Sequence, residues 1–401
     1  MPDQANRAAV APPGRPSGER AWLDLVSGRA VGLSAAIARF GLWLLAGLYR
    51  AGLALARLRY RLPGADRRVA RPVVSVGNLT LGGTGKTPMA ALLARIVTEM
   101  GGRPIIVSHG YGAASGAPNE EAMELARLCP GVPCVQNRNR WQAIHDWMWR
   151  HPCDLAILDD GFQHRRLARD LDIVLVDALQ PFGHGHVLPR GLLREPPSAL
   201  RRADLVVITR AELVGPQEID ALKGRLHGLV RAGVPILVAQ HQPSALVRAD
   251  GSREAPESLR GETVAAACGI GNPEAFRRSL QRLGARVDLW DVFPDHHAYS
   301  AADVDRLLSA ARSAGLKRLV TTVKDYVKWE PLLADRSERP AVEIAALEIR
   351  MAMVEGDERL RREIRSLLPG CPVATLAGRA CRGSTAGDST WRDGKPGHRA
   401  D

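Results

Sequence analysis

The sequence predicts an α/β fold in which a mostly parallel sheet carries helices on both faces, followed by a smaller α/β lobe. Short β-branched apolar runs alternate with helix-period segments along most of the chain, and a glycine-rich loop follows the first run. An apolar segment punctuated by arginines precedes that run and predicts helices lying at a membrane interface.

The alternation of β-rich and helical patterns places each element. Strands are predicted at 73–76, 104–108, 155–158, 173–176, 205–208, 235–239, 264–267, 286–290, 318–321 and 342–345. Helices are predicted at 88–100, 120–128, 140–150, 216–231, 273–283 and 301–314. The second cycle of strands and helices begins near Thr263 and defines the smaller lobe.

The first strand leads into a phosphate-binding loop, because residues 73–88 read VVSVGNLTLGGTGKTP. Glycines let the backbone bend so that its N–H groups point at phosphate oxygens. The lysine reaches the β- and γ-phosphates, the following threonine binds Mg²⁺, and the next helix offers its positive N-terminus. The fold is therefore P-loop NTPase-like, although Thr80 replaces the first glycine of the usual motif. The predicted nucleotide-binding residues are Gly82, Gly83, Thr84, Gly85, Lys86 and Thr87.

Composition and the pattern of predicted elements divide the chain into five parts. Residues 1–18 and 371–401 are rich in Gly, Pro and polar residues and are predicted to be disordered. Between them we expect a membrane-associated helical segment over 19–65, the nucleotide-binding domain over 66–262 and the smaller lobe over 263–370.

The N-terminal apolar segment, residues 21–60, is too interrupted by arginine to span a bilayer. Its longest uncharged stretches are 30–38 and 40–49, whereas a spanning helix needs about 20 apolar residues. Arginine can reach phosphate headgroups while its stem stays in the apolar layer. This pattern favours helices in the interface, peripheral or monotopic; the alternative is a helical hairpin packed on the core.

The charge balance predicts an anionic partner. The formal net charge is +12 and the pI is about 9.9, which suits an acidic membrane surface, a phosphorylated substrate or nucleic acid. Aromatic residues make up only 4% and do not interleave with basic ones, which argues against nucleic acid because single strands bind to stacking platforms.

Acidic residues end the strand predicted at 155–158, within LAILDDGFQHRR. Strand ends in open α/β sheets face the ligand crevice, so Asp159 or Asp160 is expected to meet the Mg²⁺ held by Thr87. The alternative is a strand-end aspartate that caps the next turn. Glu120 and Glu121 follow a second glycine-rich loop, and by themselves they are helix-N-terminal acids favourable to the helix dipole.

Two histidine-containing segments are candidate site loops. In FPDHHAY at 293–299, His296 beside Asp295 is a candidate half of a proton-transfer pair, because no third metal ligand lies at suitable spacing. The segment FGHGHVLPRGLLREP carries Arg190 and Arg194, which suit either a phosphate clamp or a solvated basic loop.

Taken together, these motifs resemble the tetraacyldisaccharide 4'-kinase family, the lipid A 4'-kinases, over about residues 20–370. The resemblance rests on SVGNLTLGGTGKTP, VSHGYG, PNEEAMEL, LDDGFQHRRLARDLDIVLVDA, LPRGLLREP, CGIGNPEAF, FPDHHAY and TVKD. It implies an enzyme that moves the γ-phosphoryl of ATP, with Mg²⁺, to the 4'-hydroxyl of an acylated disaccharide 1-phosphate. It also implies work at an anionic membrane surface, the cytoplasmic face of the inner membrane.

The resemblance assigns roles residue by residue. Lys86 matches the family's P-loop lysine, and Glu120 and His296 match its catalytic base and the histidine that assists it. Glu120 is one methylene longer than the aspartate usual there. The metal ligands implied are Thr87, Glu121, Asp159 and Asp160.

Other classes of P-loop protein compete with this interpretation. A GTPase or ATPase acting as a membrane-targeting switch shares the loop, and TVKD at 322–325 loosely resembles the N-K-x-D guanine signature. A nucleotide-gated adaptor without enzymatic activity is a third hypothesis. The sequence leaves the oligomeric state open.

Overall fold

The structure, a computed structural model, describes residues 17–59, 67–110, 120–334 and 341–369. The predicted tails lie outside these ranges except for residues 17 and 18, which begin the first helix. The helices are α1 Ser17–Ser27, α2 Leu33–Arg59, α3 Lys86–Glu99, α4 Glu120–Leu128, α5 Arg140–Arg150, α6 Pro216–His227, α7 Pro273–Arg282, α8 Ala301–Ser313, α9 Val323–Ala334 and α10 Asp357–Arg365.

Within the described residues one twisted sheet runs through the whole molecule. Its strands are β1 Val73–Asn78, β2 Pro104–Ser108, β3 Cys134–Gln136, β4 Leu155–Leu158, β5 Leu171–Asp177, β6 Leu205–Thr209, β7 Ile236–Arg248, β8 Arg253–Glu254, β9 Thr263–Cys268, β10 Arg286–Val292, β11 Arg318–Thr322 and β12 Glu343–Glu355. The order is β10-β9-β11-β12-β7-β6-β5-β1-β4-β2-β3, with β8 beside β7. Pairing is parallel except where β7 meets β12 and β8, so the predicted fold class is confirmed.

Two lobes share this sheet and are joined by a ribbon. The larger lobe contains β1 to β6, and the smaller lobe contains β9 to β11. The ribbon is the antiparallel pair β7 and β12, which borders β6 at one end and β11 at the other. After β12 the chain returns to the larger lobe, where α10 buries Leu360 and Ile364 in the core beneath α3.

The ribbon strands are much longer than their apolar runs predict. Polar residues such as Gln240, His241, Glu348 and Arg350 interrupt the pattern, yet main-chain pairing continues through them. The sequence pattern also missed α9, which contains Pro331, and α10, whose residues are mostly charged. In these elements tertiary packing and ladder bonding override the local hydrophobic signal.

The N-terminal helices pack on the larger lobe by a narrow face. On α2, Ala46 and Tyr49 contact the apolar cluster beneath β5 and β6. The apolar residues Leu33, Phe40 and Leu48 on the same helix are exposed. Among the described residues, no helix combines the length and the apolar character needed to cross a bilayer.

Candidate active site

The phosphate loop lies between β1 and α3, so the N-terminus of α3 opens into it. Gly85 sits at the start of the helix with φ of 90°. A side chain there would be strained, and its Cβ would overlap the imidazole of His241 and the methyl of Met351 from the ribbon. The ribbon therefore supports the loop from behind, and the glycine is required by both backbone angle and space.

Two residues at the end of β6 hold the loop's carbonyl groups. Thr209 Oγ1 donates to the carbonyl of Thr84 at 3.0 Å, and the Arg210 guanidinium donates to the carbonyl of Gly83 and to the carboxylate of Asp177. With these carbonyls bound, the loop's N–H groups are left to face an anion. Sequence reasoning missed Arg210 and Asp177, although Asp177 ends an apolar strand just as Asp159 does.

The loop's entry is paired with a second loop, residues 183–194, which we call the arginine loop. Leu81 N donates to Leu192 O and Arg194 N donates to Leu79 O, each at 2.7 Å, and Thr80 forms an isolated bridge with Leu193. A β-branched residue suits this extended backbone. This pairing gives a physical reason for threonine where the usual motif has glycine.

The two aspartates that follow β4 both reach the phosphate loop. Asp159 Oδ2 accepts a hydrogen bond from Thr87 Oγ1 at 3.1 Å. Asp160 Oδ1 lies 3.7 Å from Lys86 Nζ, and Arg194 Nη1 donates to both of its oxygens at 3.0 and 2.8 Å. Burial by itself would raise the pKa of Asp160, but the charges of Lys86 and Arg194 outweigh it and hold that pKa below its usual value.

The donor atoms at this point suit magnesium. Thr87 offers a hydroxyl and Asp159 and Asp160 offer carboxylates, all hard oxygen ligands. Among the described residues, no group of three or more His, Cys, Asp or Glu is arranged to hold a metal ion by itself. Mg²⁺ does not require one, since it binds through one or two carboxylates together with phosphate and water. Glu121 begins α4 with Glu120, and the side chains of both lie outside the described part of the chain.

The smaller lobe supplies the other wall of the cleft. His296 adopts φ of 60°, and its side chain is 55% exposed, with Nε2 3.8 Å from Asp295 Oδ1. Lys324 Nζ lies 2.7 Å from Asp295 Oδ1 and 3.5 Å from His296 Nε2. His297 instead packs between the rings of Phe293 and Tyr299, so the two adjacent histidines have different surroundings. Sequence reasoning did not single out Lys324.

The two walls meet across a cavity of about 270 Å³. The phosphate loop lines one side, and Asp295, His296 and Lys324 line the other. Gly271 of the smaller lobe touches the loop so closely that a Cβ on it would lie 2.8 Å from Gly83 N. Glu124 also lines the cavity, and Glu120 begins the same helix one turn earlier.

The guanine-signature interpretation of TVKD fails on geometry. Asp325 is completely buried, and it accepts hydrogen bonds from Gly269 N, Thr322 Oγ1 and Tyr299 Oη. Burial raises the pKa of this carboxyl despite those bonds. Asp325 therefore links the loops that carry Gly269, Tyr299 and Thr322 by hydrogen bonds. It is not accessible to a nucleotide base.

Comparison with known proteins agrees with this geometry. The family model described as LpxK, tetraacyldisaccharide-1-P 4'-kinase, matches residues 38–369. The chain belongs to this family. A tetraacyldisaccharide 4'-kinase of Anaeromyxobacter dehalogenans (strain 2CP-C) is 44% identical over 308 residues, 71% of this chain and 80% of that protein. The one from Syntrophus aciditrophicus (strain SB) is 40% identical over 316 residues, 71% and 82% of the two chains.

A solved structure of the same family has a similar fold. LpxK from Aquifex aeolicus in complex with ATP superposes with a TM-score of 0.63 at 27% identity, covering 82% of this chain and 99% of that one. The resemblance read from the motifs is thus confirmed, and the GTPase or ATPase switch is not favoured by any of these findings.

Proposed function

We propose that this chain transfers the γ-phosphoryl of ATP to the 4'-hydroxyl of a tetraacyldisaccharide 1-phosphate in lipid A biosynthesis. One observation carries the proposal: a single cavity joins the phosphate loop of one lobe to His296 of the other. Such a cavity suits a reaction between two bound substrates. The family's name and the ATP bound by the Aquifex aeolicus relative support the choice of donor and acceptor.

The larger lobe is proposed to bind the nucleotide. The N–H groups from Gly82 to Thr87 and the α3 N-terminus surround the phosphates, and Lys86 shifts from Asp160 onto the β- and γ-phosphates. Thr87, Asp159, Asp160 and Glu121 would hold Mg²⁺, which when bound neutralises charge on the transferring group.

The acceptor's proton is proposed to leave through Glu120, assisted by His296. The assignment follows the family's pattern and the place of each residue, since α4 borders the cavity and His296 faces it. Residues 66–262 would bind the donor, and the part of 263–370 that precedes β12 would complete the site, since α10 packs back into the larger lobe.

The ribbon is the covalent link between the lobes, and α4 also packs on α9 of the smaller lobe, where Arg127 pairs with Glu330 and lies over the Tyr326 ring. We propose that bending of the ribbon adjusts the distance between His296 and Glu120.

Residues 19–65 are proposed to lie in the cytoplasmic face of the inner membrane, where the lipid acceptor is presented. Leu33, Phe40 and Leu48 are 78%, 61% and 70% exposed, and together with Ile37 and Leu44 they recur at helical spacing on α2. An apolar stripe of this size, flanked by arginines, suits an anionic lipid surface.

The activity is tested by following radiolabelled γ-phosphate with purified protein, Mg²⁺ and tetraacyldisaccharide 1-phosphate in mixed micelles. The proposal predicts label in a lipid with a new 4'-phosphate. Release of label as inorganic phosphate at the same rate with and without lipid would indicate an ATPase instead. Absence of both would indicate a nucleotide-gated adaptor.

Membrane association is tested by sedimentation with anionic vesicles. The triple variant Ile37→Gln, Phe40→Gln, Leu44→Gln removes exposed apolar surface and is expected to lower the bound fraction at least about fivefold while leaving ATP affinity intact. Trp149→Gln, which removes an 87%-exposed apolar residue on α5, is the matched control. Equal sedimentation of the triple variant and the parent protein would refute the interfacial assignment.

A further inference from the structure

Tyr49 joins α2, the helix proposed to lie at the membrane interface, to the nucleotide site by a hydrogen bond. Tyr49 Oη donates to the main-chain carbonyl of Arg194 at 2.9 Å. Tyr49 follows Leu48, which is 70% exposed, while the tyrosine itself is half-buried against the arginine loop. The helix α2 therefore presents apolar side chains to solvent on one face, and its opposite face is hydrogen-bonded to the arginine loop.

Arg194 is bonded to three parts of the site at once. Its carbonyl accepts from Tyr49, its N–H donates to Leu79 at the entry of the phosphate loop, and its guanidinium holds both oxygens of Asp160. Asp160 is in turn 3.7 Å from Lys86. A shift of the Arg194 backbone is transmitted directly to the acid proposed to face Mg²⁺.

A second contact of the same kind lies near the middle of the arginine loop. Trp22 Nε1 on α1 donates to the carbonyl of Pro189 at 2.9 Å. No hydrogen bond described in the structure leads from Pro189 to Asp160. Arg190 Nη1 also donates to the carbonyl of Val26 on α1 at 3.3 Å. The loop is thus attached to the N-terminal helices at three points among the described residues, and of these only Tyr49 bonds directly to the residue that holds Asp160.

We propose that Tyr49 is a positioning residue for phosphoryl transfer: its hydroxyl fixes Arg194, and through Arg194 it orients Asp160 and the entry of the phosphate loop. The inference rests on the proposed function for the reaction it serves. In this arrangement α2 and Asp160 move as one unit. The geometry of the nucleotide site therefore depends on how α2 packs against the larger lobe.

Tyr49→Phe keeps the ring and removes only the hydroxyl. The Mg²⁺ concentration giving half-maximal transfer is expected to rise about threefold to tenfold, the scale of one net hydrogen bond. Trp22→Phe removes an equivalent helix-to-loop bond and should leave that concentration unchanged. Thermal unfolding of both variants separates this effect from a general loss of stability.

A binding measurement decides the inference without the lipid acceptor. Calorimetric titration with a non-hydrolysable ATP analogue, with and without Mg²⁺, gives the factor by which Mg²⁺ tightens binding. That factor should shrink in Tyr49→Phe and stay at the parent value in Trp22→Phe. If the parent protein fails to phosphorylate lipid, the proposed function is lost while this readout still tests the role of Tyr49.

The path through Arg194 is tested by a double-mutant cycle. Arg194→Lys should itself weaken the Mg²⁺ dependence, because a point charge replaces the planar guanidinium. Adding Tyr49→Phe to it should change little, since groups in one network are not additive. Additive effects, or a Mg²⁺ dependence in Tyr49→Phe no different from that in Trp22→Phe, would overturn the proposal.

Discussion

The two walls of the cleft differ in how firmly their polar groups are held. On the phosphate-loop wall, main-chain or carboxylate oxygens of Gly83, Thr84 and Asp160 are bound by side chains from other elements. On the opposite wall, His296 is half-exposed on a loop and lies beside Asp295 and Lys324 of the same lobe. The first wall is therefore preorganised by contacts from several elements, whereas the His296 side chain of the second wall is 55% exposed.

This difference between the walls predicts that mutations can affect nucleotide binding and catalytic turnover separately. A loop whose main chain is preorganised can bind nucleotide phosphates with little backbone rearrangement, which lowers the free-energy cost of association. The proposed base draws on both lobes, so we expect it to act only when they close, which would couple chemistry to the presence of the acceptor and limit hydrolysis by water. Changes in the first wall should therefore affect nucleotide binding and catalysis together, and changes in the second that leave its contact with the phosphate loop intact should affect catalysis alone.

The largest effect is expected from Lys86→Ala on the preorganised wall. Phosphoryl transfer depends mainly on positioning and charge stabilisation, so kcat should fall at least about a hundredfold, or about 2.7 kcal/mol. Steady-state kinetics with lipid acceptor measures this. Lys223→Ala, at a surface ion pair with Glu355, is the control. A loss below tenfold would show that this loop is not the phosphate site.

A smaller effect concerns the ribbon that supports this wall. Burial, reinforced by Arg210, lowers the pKa of His241 to about 3. The unfolded chain then binds more protons between about pH 6.5 and pH 3, so stability falls as pH falls through that window. At pH 5 His241 should cost about 2 kcal/mol of unfolding free energy relative to pH 8.

The pH effect is measured by denaturant unfolding at pH 5 and pH 8. His241→Gln, which cannot take up a proton, should lose about 2 kcal/mol less than the parent between these values. His227→Gln, on the exposed surface of α6, should behave as the parent does. An identical pH dependence in His241→Gln would show that the buried imidazole is not linked to stability.

The smallest effect tests the contact between the walls. A methyl on Gly271 would lie 2.8 Å from Gly83 N, and such overpacking typically costs about 1–3 kcal/mol. Gly271→Ala should therefore raise KM for ATP about tenfold by displacing the smaller lobe from the loop. Gly224→Ala on α6 has open space around it and should leave KM unchanged. Equal KM values for the two variants would mean that the contact between Gly271 and the phosphate loop does not affect ATP binding.

The preorganised wall was also the more predictable one. Its strand–loop–helix order and the acids after β4 are local signals, so Lys86, Thr87, Asp159 and Asp160 could be chosen from the sequence, and the structure places them together. Arg210 and Lys324 reach the cleft only through sheet topology. No local pattern distinguishes them from other basic residues that follow a strand.

The length of the two ribbon strands was underestimated from the sequence for a related reason. Strand prediction from apolar alternation stops where His241 and its polar neighbours begin, whereas main-chain pairing with β12 carries β7 to Arg248. The contact between α2 and the arginine loop could not be predicted from the sequence either, since Tyr49 is one aromatic residue in a long apolar segment. Local periodicity predicts elements, and long-range hydrogen bonds decide which side chains meet.

The most direct test of the contrast between the walls compares ATP affinity with turnover in His296→Ala and Glu120→Gln. We expect both to lower kcat about a hundredfold, the scale of a general base, while the Kd for ATP measured by calorimetry stays within about threefold of the parent. The double variant should cost little more than either single one. Glu358→Gln, an exposed glutamate in the first turn of α10, is the control. A Kd that weakens as much as kcat falls would contradict the account, because the second wall would then belong to the nucleotide site itself.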